Sequence, residues 1–346
     1  MIKNLTINRN RNNTNGVFSI EDRKFFYKLL SISDYKKEMN GYEVIKNVYP
    51  VANLIFNGVV NNKNGLLLYE YEESINKNCG LLVDLFANNN SYSKDSYLFD
   101  RILLLYKNSF QGSFKVVKSK TSDIFFKDRI KSRLDIYYNK KFFEEVENIS
   151  FDFCDYKISN INFEKIVTSL RKFFNNRKEE HCVISQCDPN DLNIGTKPIV
   201  LDYLAGGYNP FMAEFAVFFW YCIAQGNYFS IVYNKNEYVN HPSIIRKIDK
   251  VTFRKNTLIH HINHKRKEFL VNYIEKVVSP LLKKARADYN WYEDFKNYLV
   301  MRIISVFDIS KMKYEDKLLS LAYLDIFYNR LNVRKISQLV KIINEL

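Results

Sequence analysis

The stretch Gln186-Cys187-Asp188-Pro189-Asn190-Asp191-Leu192-Asn193, followed by Gly195-Thr196-Lys197 and Ile199-Val200-Leu201-Asp202, decides the fold. Cys182 to Gln186 reads as a short strand, and 192–194 and 199–201 as the arms of a tight hairpin. Asp188 opens the loop between strand and hairpin, Asn193 closes it, and Asp202 follows the hairpin. A polar turn without chemistry would leave Asp188 and Asp191 in solvent. Asp202 ends an apolar strand, and a carboxylate buried there needs a partner, which a metal would supply.

Outward from this stretch the character differs on the two sides. Residues 5 to 71 read as five strands and one helix: Leu5 to Ile7, Val17 to Ile20, Phe25 to Leu30, Asn53 to Val60 and Leu66 to Tyr71. The helix is expected from Asp34, as its cap, to about Asn47. Asn62-Lys63-Asn64-Gly65 is expected to join the last two strands as a hairpin turn. Helices are predicted over 75–87, 96–110, 163–178, 265–278, 292–307 and 314–328, and almost everything after Phe211 reads as helical. Residues 111–158 read as an inserted segment. The pattern predicts an α+β, bilobal chain with a small five-stranded lobe over 1–71 and a mostly helical lobe over 72–346.

Phosphoryl transfer asks little covalent chemistry of a protein. It needs a group that orients the attacking hydroxyl and ligands that hold magnesium on the phosphates. Asp188 suits the first task. Asn193 and Asp202 supply hard oxygens of the kind magnesium takes.

On these residues the segment from Cys182 to Trp220 resembles the aminoglycoside phosphotransferase and choline kinase superfamily, with its protein kinase-like fold. That family carries H-G-D-x-x-x-x-N, an apolar strand ending in Asp, then a Gly-Pro turn and an acidic residue opening an apolar helix. Asp188, Asn193 and Asp202 match the catalytic and two metal-binding positions, and Gly207, Pro210 and Glu214-Phe215-Ala216 match the turn and helix. The likeness covers about forty residues. It implies an ATP- or GTP-dependent kinase that uses Mg2+ to phosphorylate a hydroxyl of a small molecule. Gln186 and Cys187 depart from the family's His and Gly, and Glu214 from its usual Asp.

In the small lobe, Lys28 lies within the aromatic strand Phe25-Phe26-Tyr27-Lys28-Leu29-Leu30 and resembles the family's phosphate-binding Lys. Glu38 in the following helix is the candidate to pair with it, with Glu43 as the rival. Leu66 to Tyr71 resembles the hinge, where adenine would bond backbone groups near Glu70 and Tyr71. Asn12 to Gly16 would be the loop over the phosphates, although no G-x-G-x-x-G pattern is present.

The chain has 346 residues, 47% hydrophobic content and a net charge of +14. That is enough for a sizeable core. No strongly apolar stretch exceeds the one from Ala213 to Ala224, which is too short to span a bilayer. Met1 to Asn15 lacks the apolar centre of a secretory signal. A cytoplasmic protein is expected, with its five cysteines as free thiols.

The charge concentrates in Lys115–Lys141, at +6, and Arg246–Lys267, at +7. The second segment offers Arg254, Lys255, Lys265 and Arg266 as anion- or acceptor-binding groups, and favours an acceptor with anionic groups. His260, His261 and His264 read as surface rather than metal ligands. Two further functions fit parts of the pattern. One is a degenerate kinase-fold binding protein, suggested by Gln186 and Cys187. The other is nucleic-acid binding through the basic segments, with Tyr137, Tyr138, Phe142 and Phe143 as stacking groups.

Overall fold

The computed structural model describes residues 2–3, 5–10, 13–21, 23–71, 80–118, 122–176, 179–238, 242–245, 250–286 and 288–346. Its first layer is an antiparallel sheet of β1 (Ile2–Lys3), β2 (Asn8–Asn10), β3 (Asn13–Ile20), β4 (Arg23–Ser31), β5 (Leu54–Asn61) and β6 (Asn64–Glu70). The order is β1-β3-β4-β6-β5, with β2 also on β3. Among the described residues there are thus six strands, not five. Leu5, Thr6 and Ile7 are exposed and lie between β1 and β2. Asn13 to Gly16, expected over the phosphates, belongs to β3, and Asn12 lies outside the described residues.

Helix α1 (Ile32–Ile45) lies against this sheet. Its cap is Ser31, whose Oγ accepts from the Asp34 N–H at 3.1 Å, so Asp34 sits in the first turn instead. Glu38, Gly41, Tyr42 and Ile45 form its buried face at helical spacing. The β5–β6 turn rests on Asn61, whose Oδ1 accepts from the N–H groups of Lys63 and Asn64, both at 2.9 Å. Gly65 answers to packing rather than to the turn, because a Cβ there would lie 2.3 Å from the Tyr35 ring.

The large lobe begins with α2 (Leu82–Ala87) and α3 (Tyr92–Ser113). The strand Glu180–Ser185 pairs with Gly207–Pro210 on one side and Lys115–Val117 on the other. The hairpin Ile194–Gly195/Ile199–Val200 follows the loop that starts at Asp188. The 111–158 segment contributes that Lys115–Val117 strand, short helical pieces and the hairpin Ser150–Phe153/Tyr156–Ser159. A second hairpin, Val251–Arg254/Thr257–His260, extends the same sheet and interrupts the helices expected after Phe211.

The helix Phe211–Tyr233 is the one described helix long and apolar enough to cross a membrane, and 89% of its apolar window is buried inside the fold. Helices Trp291–Val306 and Tyr314–Asp325 complete the core around it. Cys182, Cys187 and Cys222 are buried free thiols; Cys154 is exposed, and Cys79 lies outside the described residues.

Candidate active site

Lys28 projects from the middle of β4 between Asn15 on β3 and Leu67 on β6. Its ammonium donates to Glu38 Oε1 at 2.6 Å and to Asp202 Oδ1 at 2.8 Å, across 174 residues of sequence in the second case. Burial disfavours the ammonium, but the two carboxylates outweigh burial and raise its pKa. Burial pushes Glu38 up to about 7. Burial also opposes the charge on Asp202, yet Lys28 wins and holds that carboxyl below the usual range. The side chain of Asp202 is 39% exposed against 2% for Glu38, so Asp202 is the carboxylate that a cation entering from solvent can reach.

Asp202 adopts φ 65°, a left-handed conformation costing a non-glycine residue about 1–3 kcal/mol. The next residue explains how it is held. The Tyr203 hydroxyl donates to the Val200 carbonyl at 2.9 Å and accepts from the Ala52 N–H at 3.1 Å, and its ring packs on Tyr42 and Tyr69. Helix α1 approaches this segment closely because residue 41 is glycine: a Cβ there would lie 1.8 Å from the Tyr203 carbonyl oxygen.

Asn193 reaches the same neighbourhood through the hairpin, where its carbonyl accepts from the Leu201 N–H at 2.9 Å. Its side-chain N–H donates to the Asp188 carbonyl at 3.1 Å, which leaves the amide oxygen as the donor atom for a metal. An exposed carboxylate and an amide oxygen fit magnesium, which binds few protein ligands and keeps waters and phosphate oxygens. Among the described residues no group of three or more His, Cys, Asp or Glu gathers where a metal ion could be held.

Two buried arginines hold the loop. Arg302, from the helix Trp291–Val306, donates through Nη2 to Asp188 Oδ1 at 2.8 Å and through Nε to Gln225 Oε1 at 3.2 Å. Burial works against its charge, and Asp188 more than restores it. Arg266 donates to Asp191 and lies over the Phe86 ring at 4.3 Å. Cys187, where the family has glycine, is buried with φ 61°. Gln186 donates to the Tyr106 hydroxyl at 3.3 Å. Below the loop, burial lifts the pKa of Glu214 to about 8, moderated by the nearby Ser185 hydroxyl and Cys187 N–H.

Neither arginine contact was anticipated, and the basic segment needs correcting. Arg266 is 3% exposed, and Lys265 turns inward to donate to the carbonyls of Leu85 and Asn88 at 2.7 and 2.9 Å. Only Arg254 and Lys255 of the four are surface groups, at the hairpin tip where Lys255 and Asn256 take φ 48° and 64°. His260 is also buried, bonded to the Tyr323 hydroxyl at 2.8 Å, and burial drives its pKa to about 3. Tyr138 and Phe142, offered as stacking groups for nucleic acid, are core residues, and Phe143 packs on Phe163.

At the expected hinge, the Glu70 N–H donates to the Asn53 carbonyl at 2.8 Å and the Tyr71 N–H to the Lys24 carbonyl at 3.0 Å. These two N–H groups are therefore committed to the fold, and the Glu70 carboxylate is tied to Arg23 at 2.8 Å. A further group at the site is Glu237, which follows the long helix. It is open to solvent yet lifted to about 7 by the closeness of the fold around it and by the charges of Asp188 and Asp202.

No protein-family profile matches the sequence, and no curated protein sequence does. Solved structures do match. A thermostable mutant of aminoglycoside phosphotransferase APH(4)-Ia in its apo form superposes with a TM-score of 0.55 at 8% identity, over 94% of each chain. APH(4)-Ia itself gives 0.52 at 8% identity over 94% of this chain and 93% of that one. A ternary complex of the mutant with AMP-PNP and hygromycin B gives 0.51 at 9% identity, with the same coverage. The architecture is thus the bilobal, protein kinase-like one. Within that class it is the fold of the aminoglycoside phosphotransferases.

Proposed function

We propose that this protein is a phosphotransferase that moves the γ-phosphoryl group of ATP or GTP to a hydroxyl of a small molecule, with magnesium. The observation that carries the reading is the Lys28 ammonium bridging Glu38 and Asp202. Two N–H groups of that ammonium are engaged, and the third remains for a nucleotide phosphate. Residues 1–71 then serve the nucleotide and 72–346 the acceptor. The neighbour solved with AMP-PNP and hygromycin B supports a nucleotide donor in this fold.

Asn193 and Asp202 would hold magnesium, whose charge, when bound, offsets that of the phosphates. Asp188 receives the acceptor hydroxyl. The hydroxyl oxygen forms the new bond to phosphorus as the bond from phosphorus to the bridging oxygen breaks. The nucleoside diphosphate leaves with that electron pair, and the hydroxyl proton passes to Asp188 and then to solvent. With the N–H groups of Glu70 and Tyr71 committed, adenine or guanine would bond carbonyls there. The setting is cytoplasmic.

The competing inactive-kinase reading rests on Gln186 and Cys187. Cys187 absorbs its misfit as a left-handed backbone while Asp188 keeps its place beside Arg302, which favours an active enzyme. With Lys265 and Arg266 turned inward, the basic segment no longer argues for an anionic acceptor.

The test is a magnesium-dependent nucleotide-consumption screen against sugars, nucleosides, amino alcohols and antibiotics. Asp188→Ala is expected to abolish turnover while nucleotide affinity stays within about twofold, because the residue acts on the acceptor. Absence of transfer to every acceptor in wild type would hand the site to the inactive-kinase reading.

A further inference from the structure

We infer that Arg302 is the positioning residue of the Asp188 carboxylate, fixing one of its oxygens so that the other faces the acceptor hydroxyl. This rests on the phosphotransferase reading above.

Asp188 has two carboxylate oxygens in different surroundings. Oδ1 accepts from Arg302 Nη2 at 2.8 Å, whereas among the described residues Oδ2 meets only the Asn190 side-chain N–H at 3.4 Å. The Asp188 side chain keeps 20% exposure while that of Arg302 keeps 3%, so a ligand can reach this carboxylate, and Oδ2, with the longer and weaker contact, is the oxygen left for it. Rotation about the carboxylate bond would exchange the two oxygens, and the ion pair opposes it. The guanidinium is itself triangulated. Its Nε is fixed on Gln225, Nη2 lies 3.4 Å from the Tyr221 hydroxyl, and its carbon stands 5.4 Å from the Tyr221 ring. Gln225 and Tyr221 both belong to the buried helix Phe211–Tyr233, so the direction of Asp188 is referred to a helix of the core. Arg129 lies close enough to repel Arg302 and bonds Ser305 instead, and Asp188 is the carboxylate paired with Arg302 among the described residues.

A lysine could supply the charge but not two directed N–H groups from one planar head. Arg302→Lys and Arg302→Gln are therefore both informative, and the first guards against a failure to fold. With an acceptor in hand, each is expected to lower kcat, the Gln variant by about 100-fold, as a misplaced reactive group does. The KM for nucleotide should stay within about twofold. Because Arg302 acts through Asp188, the Arg302→Gln/Asp188→Asn double variant should show, in single-turnover assays with enzyme in excess, a residual rate no lower than that of Asp188→Asn alone. A further drop in the double variant equal to that in the single, or a rise in nucleotide KM with kcat unchanged, overturns the inference.

Wild type, Arg302→Gln, Asp188→Asn and the double variant, compared by urea denaturation, need no substrate. A coupling between the two sites is expected, and additive effects would overturn the contact itself. An inactive wild type with coupled stability would instead refute the phosphotransferase reading, and with it the catalytic use of the contact.

Discussion

Gly41→Ala tests the closeness of α1 to the Asp202–Tyr203 segment, and does so by sign. Glycine inside a helix is about 1 kcal/mol worse than alanine, so without the close approach the substitution would stabilise the protein by that amount. In the structure the new methyl would lie 1.8 Å from the Tyr203 carbonyl oxygen, 3.0 Å from its carbon and 3.1 Å from the Gly206 nitrogen, all backbone atoms. Helix α1 must retreat by about 1.5 Å to reach ordinary contact. Glu38 sits one turn earlier on the same helix, 2.6 Å from the Lys28 ammonium. Opening that gap to about 4 Å weakens the attraction by about 2 kcal/mol at an effective dielectric of about 20. The expected result is lower stability in urea and nucleotide affinity weakened by up to about 30-fold, read by titration with a fluorescent ATP analogue. A variant that is more stable than wild type and binds nucleotide equally well would refute the packing and the role given to Glu38 together.

Asp191→Ala should destabilise by about 3–5 kcal/mol in urea denaturation, since Arg266 would be left buried without its carboxylate. The pair Asp191→Leu/Arg266→Met should recover much of the loss. Glu214 governs a pH effect. Its pKa of about 8 lies above its ordinary 4.5, so the folded state holds the extra proton and stability falls as pH rises between those values. Glu214→Gln should remove up to about 1.4 kcal/mol per pH unit of that fall and leave the variant relatively more stable above pH 8. Melting curves of both proteins from pH 5 to about pH 9 check this, and parallel profiles would show that Glu214 does not hold the proton.

The parts of the site that could be read beforehand share local or patterned signals. Asp188, Asn193 and Asp202 lie within one strand–loop–hairpin unit, and Lys28 announces itself as a cation inside an aromatic strand. The arginines were hidden for two reasons. In the sequence Arg266 stands in a run of charge with its neighbours, although Arg266, Phe269, Leu270 and Tyr273 recur at helical spacing and are all buried. Arg302 stands in Leu299-Val300-Met301-Arg302-Ile303-Ile304, and a charge inside so apolar a helix demands a partner. Its identity cannot be read, because Asp188 lies 114 residues away. Tyr138 and Phe142 stay open between core and stacking surface in the sequence, because aromatics beside lysines suit either, and packing places them in the core. The small lobe gained a strand because pairing with β3, rather than alternation of apolar residues, makes strands of 2–3 and 8–10.

The loop from Asp188 to Asn193 is fastened by side chains that arrive 75 and 114 residues after their partners. During synthesis at about 5–20 residues per second, Asp188 is made about 6–23 s before Arg302. Lys28, Glu38 and Asp202 are all made before Arg266 and Arg302, whereas Asp188 and Asp191 must wait for their guanidinium partners. A chain broken off before Trp291 would lack Arg302 together with helices that complete the core. The order of manufacture thus leaves the fastening of this loop to the last quarter of the chain.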